Sequence, residues 1–357
     1  MLGWVCLQHH CMWIRDILQV QGKILALSPM ADMTDSPFCQ IVRKIGGADV
    51  VFREMVSSEA IVRSNKKTLD MIDFDLSERP IVQQIFGADP KIMAKAAAIV
   101  MEHANPEGID INMGCPVYKI TSNFNGCALM KEPERAAQII REMRKEIGEK
   151  VPISVKIRLG WSNPDEFKTF IPIIEDAGVD LITIHGRTKA QGYSGKSDWE
   201  RIRQAKEIAT VPVLANGDIH QPAQVAEALQ MTGADGVLIA RGALGNPWFF
   251  RLISGYTDNP DLQINDFRIN NIRKSGLSVY PDLNERITIV LDHARLHVAH
   301  YGERGIFSFR KHLAWYFKSS RIGFEVPGIK ELRSELVRVS SLGMLESALG
   351  KMLLQVK

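Results

Sequence analysis

The chain has 357 residues, 45% hydrophobic and 24% charged, with 44 Lys and Arg against 41 Asp and Glu. That balance is ordinary for a globular protein and excludes disorder, collagen and coiled coil, and no run of about 18 apolar residues is present to span a bilayer. A net charge of +3 does not by itself argue for a polyanion partner, so such an argument must rest on where the charge sits.

Residues 1–22 lack an early basic cluster and a clean apolar stretch, so they read as a frayed N-terminal extension and not as a targeting peptide. Cys6, His9, His10 and Cys11 form a single short cluster with no second pair at zinc spacing, and no metal site is expected. The five cysteines are odd in number and too few for a disulfide scaffold, which places the protein in a reducing cytoplasm.

A repeat organises residues 23–252. Four times a Gly-x-Asp triplet opens a short apolar run: Gly47 to Asp49, Gly108 to Asp110, Gly178 to Asp180 and Gly233 to Asp235. Glycine suits the end of a helix, and an unbroken apolar run suits a strand buried on both faces. Four more runs, at 24–30, 80–86, 152–159 and 212–217, alternate with these, the last three opening at a proline. Amphipathic stretches at 90–104, 133–148 and 221–231 predict helices between them. Eight strands alternating with helices predict a (β/α)8 barrel, and no G-x-G-x-x-G follows the first strand to favour a doubly wound sheet. Residues 253–284 are polar and turn-rich, a linker. Helical periodicity returns over 285–357, which predicts a small all-helical C-terminal domain. Within 295–321, six basic residues, Arg310 and Lys311 among them, face the single acid Glu303, with Trp315, Tyr316 and Phe317 interleaved. That pattern fits a nucleic-acid surface or, equally, a solvated helix face over an aromatic core.

In such a barrel the active site lies at the C-terminal ends of the strands. Those ends carry Pro29-Met30-Ala31, Gln84, Asn112 with Cys115, Lys156 with Arg158, His185 with Arg187, Asn216-Gly217-Asp218 and Ala240-Arg241. The last two loops, with Arg241 as a fixed cation, suit a phosphate, against the alternative of plain turn glycines. Lys156 lies in a buried strand, where it stabilises anionic charge on a reduced ring or an enolate, or else pairs with Glu54. Gln84 can donate and accept toward a heterocycle edge or serve as a satisfied core amide. Cys115, between Gly114 and Pro116 on a loop, carries a thiol able to deliver a proton, although a lone cysteine is often inert. Cys127 lies in the same loop, and Cys39 reads as core.

The segments LSPMADMTDSPF (27–38), VQQIFGADP (82–90), DINMGCPVYKI (110–120), VKIRLGW (155–161), ITIHGRT (182–188), LANGDI (214–219) and IARGALGNPW (239–248) together resemble the flavin-dependent tRNA dihydrouridine synthases, particularly the bacterial B-type branch. HLAWYFK (312–318) extends the resemblance into the tail. It implies a TIM barrel holding FMN, a helical domain gripping tRNA, and NADPH or NADH as reductant, in a monomer with no membrane or obligate protein partner. It further implies that Pro29, Met30 and Ala31 contact FMN through backbone, that Gln84, Lys156 and His185 face its ring, and that Asn216, Gly217, Asp218, Ala240 and Arg241 hold its phosphate end. Cys115 is then the general acid, and Asn112, Lys119 and Arg187 lie near the uracil or its backbone. The extension, the long linker and Cys127 in place of a small residue depart from the family pattern. A dihydroorotate dehydrogenase-like oxidoreductase of a free pyrimidine and a non-catalytic RNA-binding module are the rival readings. The basic aromatic tail weighs against the first, and the retention of Cys115, Lys156 and His185 against the second.

Overall fold

The acidic residue of each repeat does a definite structural job. In the computed structural model, which describes residues 12–64, 66–253, 281–318 and 328–355, Asp49 Oδ2 accepts from the Leu25 amide, Asp180 Oδ2 from Ile153 and Asp235 Oδ2 from Val213, each at 2.7 Å. Each carboxylate thus satisfies an amide at the start of the preceding strand, a donor that would otherwise be orphaned near the barrel floor. The fourth triplet departs from the expected register. There Glu107 Oε2 takes the equivalent Ile81 amide at 2.8 Å, and Asp110 falls inside its strand.

The strands are β1 Ile24–Leu27, β2 Val50–Ser57, β3 Ile81–Phe86, β4 Gly108–Met113, β5 Ile153–Arg158, β6 Leu181–His185, β7 Val213–Asn216 and β8 Gly236–Ile239. They pair in parallel in sequence order and close into a barrel through β1 and β8. Helices cover the outside, among them Pro90–His103 and Pro133–Ile147, within the predicted stretches, and Gln224–Thr232, which runs one residue past its own.

Alternate residues of each strand point inward. At the lower end the inward residues are apolar: Ile24, Ala26, Val50, Phe52, Val82, Leu181, Leu214 and Leu238 form one cluster. Two residues further up, the same faces turn polar, with Gln84, Thr183 and Asn216 following Val82, Leu181 and Leu214. An apolar floor therefore carries a polar ceiling, and the ceiling opens onto a cavity.

That floor is closed from below by the chain's own N-terminal segment. Met12–Gln21 is a helix, and its Trp13 and Ile14 are buried in the floor cluster, with Trp13 edge-on to Phe52. The frayed-extension reading is corrected for residues 12–21, whose apolar face has a barrel end to cover. Residues 1–11, with the Cys6 to Cys11 cluster, lie outside the described residues.

Beyond the barrel, Leu283–Tyr301, Gly305–Tyr316, Ile329–Leu336 and Leu342–Gln355 form the helical domain. Its core is continuous with Ile41, Ile45 and Leu252 of barrel helices and with Trp248 in the turn before the last of them. Polar ties reinforce the junction: Trp248 Nε1 donates to Glu285 at 2.8 Å, Arg251 pairs with the same carboxylate, and the Arg286 guanidinium lies over the Trp248 ring. Most of the expected linker, 254–280, lies outside the described residues. No helix among them is long and apolar enough to cross a membrane.

Candidate active site

The strands' C-terminal ends surround a cavity of about 340 Å³. Its lining brings together Pro29, Met30, Ala31, Gln84, Asn112, Cys115, Lys156, His185, Asn216, Gly217, Asp218, Ala240 and Arg241. Residues from seven strand ends and their loops thus converge on one space, because the inward parity of every strand ends at the same rim.

A hydrogen-bonded chain runs across β4 and β3. Asp110 Oδ2 accepts from Gln84 Nε2 at 2.6 Å, and its Oδ1 accepts from Ser154 Oγ at 2.6 Å. Gln84 Oε1 accepts from Asn112 Nδ2 at 2.8 Å. Asn112 Oδ1 in turn accepts from the Gly114 and Cys115 amides at 3.2 and 2.9 Å. The Cys115 backbone is thereby fixed by a side chain whose own rotamer is locked from beneath. Arg158 braces the same loop from β5, donating through Nε to Gly114 O and through Nη1 to Thr188 O and Gly192 O, each at 2.9 Å. Cys115 is partly exposed, whereas Cys127 and Cys39 are fully buried.

Lys156 and Asp110 titrate toward each other. Burial, with Arg158 adding repulsion and Asp110 opposing both, pulls the Lys156 ammonium down to about 8. Burial pushes the Asp110 carboxyl up to about 6, against the hydrogen bonds from Gln84 and Ser154 and the charge of Lys156. Lys156 makes no hydrogen bond or ion pair among the described residues. Glu54 instead accepts from the Asp32 amide at 2.6 Å, so the Lys156–Glu54 pairing is not formed. A cation at a cavity wall without a protein partner is a place for an anionic or strongly accepting ligand group.

Burial, reinforced by Lys156, Arg158, Arg187 and Arg241, holds the His185 imidazole well below its ordinary value and therefore neutral. Arg187 Nη1 lies 3.2 Å from His185 Nε2. Because arginine only donates, Nε2 is the acceptor and the ring proton sits on Nδ1. Arg187 is buried behind the cavity wall, bound to Asp218 Oδ2 at 2.6 Å and to the Ser194 and Gly195 carbonyls. It positions His185 and Asp218, and does not line the cavity as its expected place near a substrate would require. Asp218 stays below the usual carboxylate range despite burial, because Arg187 and the Ser197 amide hydrogen-bond it. Gly217, at φ 115, packs so tightly that a Cβ would stand 2.4 Å from Ser197 Oγ and 2.6 Å from His185 Cδ2.

Three other expected residues lie elsewhere. Lys119 is exposed on a neighbouring groove shared with Arg135 and reached along the loop from Cys115. Arg310 donates to Val339 O and Arg338 O at 2.9 and 3.1 Å and lies over Phe307, so its guanidinium ties helices together. Lys311 is half-buried on the same helix. Sequence reasoning missed Asp110, Met55 and Tyr193. Strand parity with Asn112 pointed to Asp110, whereas Tyr193, whose ring lies 4.9 Å from the Arg241 guanidinium, sits on a loop without such a signal.

The family model described as dihydrouridine synthase matches residues 25–355. A probable tRNA-dihydrouridine synthase of Rickettsia conorii is 37% identical, over 90% of this chain and 92% of that protein. The tRNA-dihydrouridine synthase B of Pseudomonas aeruginosa is 34% identical, over 88% of each. Among solved structures, a 2-naphthoyl-CoA reductase complex superposes with a TM-score of 0.53 at 11% identity, covering 65% of this chain and 50% of that one, a likeness of fold alone.

Proposed function

The chain belongs to the dihydrouridine synthase family, and on that premise we propose that it reduces the C5=C6 bond of uridines in tRNA to 5,6-dihydrouridine, with FMN in the barrel cavity and NADPH, or NADH, as reductant. The observation that carries this reading is the convergence of Cys115, Gln84 and the unpartnered Lys156 ammonium on one cavity.

The cavity suits a flavin mononucleotide. Pro29, Met30 and Ala31 offer backbone along one wall, Gln84 an amide edge, Lys156 a cation, and the close-packed Gly217 with Asn216, Asp218, Ala240 and Arg241 an anion cradle. When bound, FMN supplies the hydride for C6 of the uracil.

The chain's own side chains do the rest. The Cys115 thiol gives its proton to C5, becomes a thiolate, and regains a proton from water. Asn112 holds the loop that aims it, and Gln84 with Asp110 holds Asn112. Lys156 keeps positive charge in the cavity at neutral pH, where anionic character develops. His185 offers its Nδ1–H as a fixed donor, because Arg187 occupies Nε2. A base in folded RNA must leave its stack to reach this depth, which favours one already splayed from a loop. Lys119 and Arg135, on the adjoining groove, offer charge to the flanking phosphates, and Lys311 extends that role to the helical domain.

Single-turnover mixing of the reduced flavoprotein with unmodified tRNA tests the reading. Flavin reoxidation should track dihydrouridine formation. Reoxidation by orotate or free uracil, with tRNA inert, would move the chemistry to a small molecule.

A further inference from the structure

Away from the cavity, the described residues hold one group of ligating side chains that the reaction does not use. Asp35 caps the Ser36–Ile45 helix on the loop after β1. His293 and His297 stand one turn apart on the Leu283–Tyr301 helix, and His312 comes from Gly305–Tyr316. One ligating atom from each lies within 4.8 Å of the others, and all four side chains are buried between barrel and helical domain.

Hydrogen-bonding direction marks the centre of the cluster as incomplete. His293 Nε2, His297 Nδ1 and His312 Nε2 are buried without a hydrogen-bond partner. Asp35 Oδ2 is 3.4 Å from His297 Nδ1, but not in hydrogen-bonding geometry. On the outside, two of the three rings are anchored. His293 Nδ1 meets the Tyr316 hydroxyl at 3.0 Å, and His297 Nε2 meets Ser308 Oγ at 2.8 Å, whose own proton goes to Gly305 O. Asp35 Oδ1 accepts the Phe38 amide, leaving Oδ2 for the cluster and the Tyr301 hydroxyl. Metal-ligating histidines show this division, one nitrogen toward the ion and the other donating outward to an oxygen. His293 Nε2 and His312 Nε2 have no polar partner in this buried space, and His297 Nδ1 has only the 3.4 Å approach of Asp35, so burial of these ring nitrogens is poorly compensated without an ion.

We propose that Asp35, His293, His297 and His312 form a closed four-ligand site for a divalent first-row transition ion, with zinc the best match. Three imidazole nitrogens and one carboxylate oxygen suit zinc in tetrahedral geometry, and with all four positions filled by protein the site is structural. Zinc–ligand bonds of about 2.0–2.1 Å put ligand atoms about 3.4 Å apart, so the four atoms, all within 4.8 Å of one another, draw together on binding. The ion fastens the helical domain to the β1 loop. That loop also lines the catalytic cavity, since Thr34 Oγ1 accepts from the Met30 amide at 2.8 Å beside Asp35. Metal occupancy therefore stabilises the seating of the helical domain and of the cavity's Pro29–Ala31 wall together.

Elemental analysis of the full chain, purified without chelator, should find one zinc per chain. Chelator-stripped protein should take up one cobalt(II) with the intense visible absorption of tetrahedral coordination and without thiolate charge-transfer bands, and reloading zinc should raise its Tm. His312→Ala should abolish the uptake, whereas a Cys6→Ser/Cys11→Ser double variant should keep it. The proposal is overturned if stripped wild-type protein takes up no ion, if its cobalt spectrum is octahedral or thiolate-bearing, or if the double cysteine variant loses the ion while His312→Ala retains it. Should His312→Ala fail to fold, the wild-type cobalt spectrum decides alone.

Discussion

Replacing Lys156 by Met separates what this lysine does for the fold from what it does for the ligand. Its displacement from 10.5 to about 8 corresponds to roughly 3 kcal/mol of disfavoured charging in the empty cavity. The folded pKa lies below the unfolded one, so between pH 8 and 10.5 the unfolded chain holds more protons and stability rises with pH. Above that window the penalty is gone, and below pH 8 it is present in full. Lys156→Met should therefore stabilise flavin-free protein at pH 7 by up to about 3 kcal/mol, less whatever packing the thioether loses, and should flatten the rise between pH 8 and 10.5. Denaturant titrations of both proteins at several pH values read this directly. The comparison cancels groups not coupled to Lys156, whereas Asp110 and His185, whose own shifts include the Lys156 charge, change with it. Cys127, whose thiol burial raises to about 12, acts in the opposite sense above pH 9 in both proteins. The variant should also retain less flavin. Equal pH slopes in the two proteins would refute the placement of this charge.

Cys115→Ala should leave the flavin spectrum and tRNA affinity intact and slow product formation by about 10²–10⁴-fold, the range for loss of a positioned acid; unchanged turnover would remove Cys115 from the mechanism. Arg241→Ala should be isolated with depleted flavin, read from absorbance, and full retention would place the phosphate end elsewhere. Lys311→Glu should weaken tRNA binding and lower the salt slope by about one, with Tm unchanged. Arg310→Ala should instead lower Tm, since its guanidinium holds the Arg338 and Val339 carbonyls; a variant with wild-type Tm and weakened RNA binding would reverse the two roles.

Much of the barrel was legible because buried parallel strands need unbroken apolar runs, and strand parity then aims polar residues at one rim. Lys156 and Arg158 both face upward as their spacing requires. The failures also have physical reasons. Gly108 to Asp110 matches the repeat in letters, but Glu107 performs the amide-capping role, which frees Asp110 to support Gln84. Arg187 stands in the most specific motif and yet spends its donors inward on His185 and Asp218. Positive charge in 295–321 was visible, but which cations brace helices and which face solvent depends on packing. The Met12–Gln21 plug needs knowledge of an open barrel floor. The Asp35–histidine cluster joins segments about 260 residues apart in sequence, a distance over which no local pattern carries information.

Mass spectrometry of nucleosides from unmodified tRNA, incubated with the protein, FMN and NADPH, tests the central claim most directly. The account predicts a uridine fraction heavier by two hydrogens in the presence of wild-type protein and little or none with Cys115→Ala. Uridine left unchanged by a flavin-loaded, fully reduced wild-type protein would contradict it.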